Sequence, residues 1–144
     1  MMAAKYHFRF WRPYTAIRRA AEDGNPHTEP DHAWQPLLST PPIPEYPAAA
    51  ADLSAAAAEI LIRNFGDHMR LKATSTTLPG VTRRFESLTQ AAWEAGLPRV
   101  YGGIHFLRAV VDGYWHGKGI GRAVSRALPP APGSRERSLS GADR

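Results

Sequence analysis

The chain has 144 residues, 43% of them apolar and 22% charged, which suits one domain with a modest core. It has no cysteine, so disulfides and thiolate metal sites are excluded. No run approaches the ~18 apolar residues that cross a bilayer. The net charge of +5 is scattered. Its densest groups are Arg18–Arg19, Arg83–Arg84 and the region of Arg135 and Arg137, and none lies in a nucleic-acid motif, so no specific nucleic-acid partner is expected. Met1 to Tyr6 lacks the apolar stretch of a signal peptide, which leaves the compartment open.

Four segments read as helices. The first runs from about Ala4 to Ala21, with a kink expected at Pro13. The second runs from Pro47 to Phe65, with Gly66 as its C-terminal stop. In it, Leu53, Ala57, Ile60, Leu61 and Phe65 recur at helical spacing and predict a buried face. The third spans Phe85 to Ala95 and is closed by Gly96. The fourth starts after Pro98 and continues toward Leu128, with Ile104, Leu107, Val111 and Tyr114 on its apolar side. No segment shows strand alternation. The predicted class is all-α, a helical bundle of about four helices with a long Pro-rich connector.

That connector, Asn25 to Tyr46, carries six of the thirteen prolines, and its Trp34, Leu37, Leu38 and Ile43 should pin it across the bundle. Residues 129–144 are Pro, Ser and Arg with little to bury, so a disordered tail is expected after a domain of residues 1–128. Four helices make a thin bundle, and the first is already under way at Ala3. Either the chain forms a homo-oligomer or helices N-terminal to it complete a larger bundle.

Two pairs of residues can carry chemistry. Lys5 and Arg12 are seven apart, nearly two helical turns, and so face the same way within KYHFRFWRPYTAIR. Phe8, Trp11 and Ile17 around them point to a packed face, although two cations on a helix are often solvated charge. Arg99 and His105 flank Gly102 and Gly103, which permit close approach of a ligand or another backbone. A core histidine with a capping arginine is the alternative reading.

Taken together, these stretches resemble the vanadium-dependent haloperoxidases and their relatives in the phosphatidic acid phosphatase type 2 superfamily. The first family motif, K-x(6)-R-P, is met from Lys5 to Pro13. The third, S-R-x(5)-H, is met by Arg99 and His105, with Pro98 in place of Ser. WQPLLSTPPIPEYP with its following Ala-rich helix, and RVYGGIHF around His105, extend the likeness over Lys5 to Leu128. The resemblance implies a site for a small oxyanion, vanadate or phosphate, held by Lys5, Arg12 and Arg99. It makes His105 the protein ligand of vanadate, or the nucleophile toward phosphate. The implied activity is peroxide-driven oxidation of halide, or phosphate ester hydrolysis. An oxyanion carries its charge on several oxygens and so needs several fixed cations, for which the planar fork of arginine is suited.

The second motif departs. Where the family has P-S-G-H, this chain has Pro47, Ala48, Ala49 and Ala50. Loss of the Ser hydroxyl removes a charge-assisted hydrogen bond of about 1.5–3 kcal/mol. Loss of the His removes an acid–base group of the kind that contributes ~10²–10⁴-fold. The phosphatase motif also has Asp four residues after its His, where this chain has Ala109. The expected function is therefore a degenerate oxyanion-binding domain with weak or absent turnover. Alternatives are an active enzyme in which another residue, such as His32 or His68, replaces the lost imidazole, and a non-enzymatic chain acting through a partner or a second copy. Gly117-Lys118-Gly119-Ile120-Gly121 follows no strand and is read as a close helix contact or a helix end, not a phosphate loop. His27, His32, His68 and His116 lack zinc spacing, and Trp11, Trp34, Trp93 and Trp115 are expected in the core.

Overall fold

A computed structural model describes residues 1–128. The expected disordered tail, 129–144, lies outside the described residues. The elements are α1 (Met2–Phe8), α2 (Pro13–Arg18), a short 3-10 turn (Ala20–Glu22), α3 (Ala49–Phe65), β1 (Leu71–Ser75), β2 (Leu78–Phe85), α4 (Leu88–Gly96), α5 (Pro98–Tyr101) and α6 (Leu107–Ala127). The mostly helical expectation holds, with two corrections of detail. The first predicted helix is broken rather than kinked. Arg9 ends α1 in the left-handed region at φ 51°, and Arg12 is extended at ψ 156°. Proline disfavours a helical residue before it and suits the first helical position, so the chain restarts at Pro13. The second correction is an antiparallel hairpin, β1–β2, pairing Leu71 with Phe85 through Thr74 with Thr82. Nearly all of it is exposed, so no buried face produced an apolar alternation.

α3 and α6 pack face to face and form the centre of the fold. Their contact is built from Ala48, Ala51, Ala55 and Ala58 on one side and Ala109, Val110 and Tyr114 on the other, with Leu88 and Ala92 of α4 closing the core. Gly113, Gly117 and Gly121 lie one helical turn apart on α6 and meet the α3 backbone. A Cβ at Gly113 would stand 2.7 Å from the Ala48 carbonyl oxygen, and one at Gly117 would overlap the Asp52 carbonyl. The close-packing reading of this glycine run is what the structure shows. Gly119, by contrast, has open space where its Cβ would be. Gly117→Ala should therefore destabilise the chain by about 3 kcal/mol through overpacking. Gly119→Ala should stabilise it by about 0.5–1 kcal/mol through helix propensity. Urea denaturation of the two variants checks both signs.

This small-residue contact reverses the expected orientation of α3. Leu53, Leu61 and Phe65 are 64%, 41% and 46% exposed, whereas Ala51, Asp52, Ala55, Ala58 and Glu59 are buried. The large apolar residues point outward because only small ones fit against the glycine face. The predicted fourth helix is split into α5 and α6 by a turn at 102–106. Ile104 in that turn and Tyr114 on α6 are buried as expected but Leu107 is exposed, and Trp11 and Trp115 are surface residues rather than core. The connector is pinned as predicted. Its Leu38 amide donates to Gly102 O at 3.0 Å and its Glu45 amide to Phe10 O at 3.0 Å, although the side chains of Leu37 and Leu38 are both exposed. Gly103, at φ +73°, lets Trp34 and Pro36 lie directly on the turn before α6. The paired glycines thus admit the connector's Trp34, Pro36 and Leu38 side chains.

Candidate functional site

The segment Ile43–Tyr46 runs between α1, α2 and the turn that precedes α6, and three of the four predicted site residues converge on it. Lys5, fully buried on α1, donates from Nζ to Pro44 O at 2.9 Å and to Glu45 O at 3.0 Å. Arg12 enters from the extended residue before α2. Its Nε donates to Ile43 O at 2.9 Å, and its Nη1 donates to Ile104 O at 2.8 Å and to His105 Nε2 at 3.0 Å. Lys5 and Arg12 are therefore not two positions of one helix. The break at Arg9 puts them on separate elements that meet the same connector.

His105 does not lie within a helix. It sits in the turn between α5 and α6, its amide donating to Arg99 O at 3.1 Å. Arginine carries only donors, so Nε2 of His105 presents its lone pair to Arg12 and the ring proton is on Nδ1. Nδ1 donates to Glu45 Oε1 at 2.8 Å, and the same oxygen accepts the Phe106 amide at 2.9 Å. Glu45 is 2% exposed and His105 6%.

Arg99 is placed differently. Its carbonyl closes the His105 turn, but its side chain is exposed and has no protein partner among the described residues. Ala48 caps α3 and is fully buried, its amide donating to Ala109 O at 3.0 Å, while Ala49 and Ala50 in the first turn are half-buried. His32 and His68 are exposed, as are His27 and His116. His116 has a partner the sequence did not reveal, since its Nδ1 is 2.9 Å from Oδ2 of the buried Asp52.

Glu45 is the residue of this cluster that the sequence reading missed. A lone carboxylate in the apolar, Pro-rich run PPIPEYP was the available signal, because a buried charge in such a run needs a partner.

Burial sets the electrostatics. It lowers the Lys5 ammonium to about 8, helped by the Arg12 charge and opposed by Glu45 and Asp52. Burial also holds His105 below its usual 6.5, against the Glu45 hydrogen bond and with the help of Arg12 and Lys5, so the folded imidazole is neutral at pH 7. An unfolded His takes up its proton at about 6.5, before the folded one does, so stability falls as pH drops below that value. An unfolded Lys keeps its proton to about 10.5, so stability rises with pH between about 8 and 10.5. Thermal melts across pH should show both limbs, and His105→Gln should flatten the acid one.

The donors present suit an oxyanion rather than a bare cation. Among the described residues no cluster of three or more His, Asp or Glu side chains is placed to hold a metal ion. Lys5 has three N–H donors and gives two to carbonyls, and Arg12 has five and leaves both on Nη2 without an acceptor among the described residues. These free donors fit a tetrahedral anion in charge and donor type, while the Nε2 lone pair of His105 is an acceptor already bonded to Arg12 Nη1. A pocket lined by Arg12, Trp11, Tyr14 and residues 35–44 opens on one side of the cluster. A second, of about 400 Å³ and lined by Phe8, Phe10, Tyr46, Phe106 and Glu45, opens on the other.

The helical bundle that carries this cluster is of haloperoxidase type. Residues 1–129 match the family described as the VCPO second helical-bundle domain, and the chain belongs to the vanadium haloperoxidase family. It is similar to the crystal structure of the first bacterial vanadium-dependent iodoperoxidase, with a TM-score of 0.75 and 35% identity, over 88% of this chain and 29% of that one. Holo-type and apo-type bacterial vanadium-dependent chloroperoxidase structures share the fold, each with a TM-score of 0.64, at 21% and 20% identity over 96% of this chain and 33% of theirs. The chain thus spans about a third of the length of these relatives. A search of curated proteins found no match. No helix among the described residues is long and apolar enough to cross a membrane.

Proposed function

We propose that this chain is a degenerate oxyanion-binding domain that holds vanadate or phosphate weakly and turns over little or not at all. The convergence of Lys5, Arg12 and the Nε2 lone pair of His105 in one buried cluster carries this reading. Weakness follows from two features. The cations are already partly spent on connector carbonyls, and Glu45 and Asp52 offset their charge. Vanadate, when bound, supplies a Lewis-acid centre. The chain's own part is to bind the anion with Lys5 and Arg12 and present a neutral nitrogen from His105. With alanine at 50, the position the resemblance assigns to the second-motif imidazole, nothing there moves a proton.

Exposed Arg99 can turn toward a bound anion. Arg99→Ala should therefore weaken vanadate binding several-fold while changing stability by less than about 0.5 kcal/mol. Isothermal titration together with a denaturation curve separates the two effects, and unchanged affinity removes Arg99 from the site. Affinity should also fall as pH rises through about 8, where Lys5 loses its charge.

A second reading, association with a partner or a second copy, is favoured by the outward apolar residues Leu53, Leu61 and Phe65 of α3 and Leu107 and Trp115 of α6. Size-exclusion chromatography with light scattering tests it, and a monodisperse monomer counts against it.

A further inference from the structure

We infer that Glu45 is the positioning residue of His105, its carboxylate fixing the imidazole as the Nδ1–H tautomer with the Nε2 lone pair turned toward the cations. The inference rests on the oxyanion reading for its consequence in affinity. Its geometry stands independently.

Glu45 is anchored through its amide, its carbonyl and Oε1. Its amide donates to Phe10 O at 3.0 Å, and its carbonyl accepts Lys5 Nζ at 3.0 Å. Its Oε1 accepts both the His105 ring at 2.8 Å and the Phe106 amide at 2.9 Å. The carboxylate ties the ring to the first residues of α6, so neither rotation about the ring bonds nor tautomer exchange is open without breaking a buried hydrogen bond. One residue thus joins the cation Lys5 to the imidazole through its backbone and side chain. The position where the phosphatase motif places a carboxylate, Ala109, has none. Its carbonyl holds the Ala48 amide instead. The connector supplies from 60 residues away what the helix lacks. A carboxylate behind a ligating imidazole fixes its orientation and raises its basicity, and loss of such a partner typically costs ~10–100-fold in affinity.

The test uses the whole chain with nitrogen-labelled histidine, comparing wild type, Glu45→Gln and Glu45→Ala by ring nitrogen NMR and vanadate titration, with His105→Gln to assign the signals. In wild type, Nδ1 of His105 should carry the proton without any anion present. Glu45→Gln keeps an acceptor oxygen, so the tautomer should persist, with the Nδ1–H proton moved upfield and vanadate affinity down about tenfold. Glu45→Ala should mix the tautomers and lower affinity about 100-fold. A folded Glu45→Ala variant with the wild-type tautomer and affinity overturns the inference. Should that variant fail to fold, unchanged proton shift and affinity in Glu45→Gln overturn it equally. Should wild type bind no vanadate, the oxyanion reading fails, and the anion-free ring signals decide the role of Glu45 by themselves.

Discussion

If the proposed oxyanion site is present, replacing Ala50 by histidine should bring peroxide-driven halide oxidation from the wild-type background to a measurable rate. A gain of ~10²–10⁴-fold is the usual contribution of a positioned acid–base group. Ala50 lies in the first turn of α3, five residues after Glu45, and is half-buried rather than buried. The neighbouring reversions are less equal. Ala48 is fully buried against the Gly113 face, and its amide is already bonded to Ala109 O. A serine there must find an acceptor for its hydroxyl or a bound anion to donate to. Ala49→Gly costs about 0.5–1 kcal/mol in the first turn while freeing the backbone to approach an anion. The triple variant should therefore bind vanadate more tightly than Ala50→His alone, and Ala50→His should supply most of the gain in turnover. Steady-state bromide and iodide oxidation at saturating vanadate checks the ordering.

The second large effect is on stability. Arg12→Ala should cost about 3–5 kcal/mol, the range for removing one member of a buried charged network. Two carbonyls, Ile43 O and Ile104 O, lose their donor, and the Nε2 lone pair of His105 loses its partner. Arg12→Lys should recover only part of this, since a single ammonium cannot span the three acceptors that the planar fork reaches. Urea unfolding measures both variants. A cost below about 1 kcal/mol for Arg12→Ala would mean that the cluster does not hold the connector, the α2 start and the His105 turn together.

Much of this site could be read from the residues, and what could not has physical causes. The K-x(6)-R-P and R-x(5)-H spacings pointed to Lys5, Arg12, Arg99 and His105. The structure gathers Lys5, Arg12 and His105 and leaves the Arg99 side chain outside, and the route differs from the expected one. Helical spacing suggested that Lys5 and Arg12 share a face. The proline at 13 instead breaks the helix, and the connector carbonyls unite the two cations. Apolar periodicity on α3 was real but misread. Leu53, Leu61 and Phe65 recur correctly, but the α6 glycines require alanines against them. The β1–β2 hairpin left no signal because only Phe85 among its residues is buried. Glu45 carries no motif and is recognised by what it touches, 60 residues along the chain.

The central question for this chain is whether its buried cluster holds an oxyanion. Vanadium NMR of wild type and Lys5→Met, with bromide oxidation measured on the same samples, tests this most directly. Wild type should broaden the vanadate signal in a weak, phosphate-competed manner without oxidising bromide, and folded Lys5→Met should leave the signal sharp. A folded wild-type chain that leaves the vanadate signal untouched would contradict the anion site. Robust bromide oxidation by that chain would contradict its degeneracy.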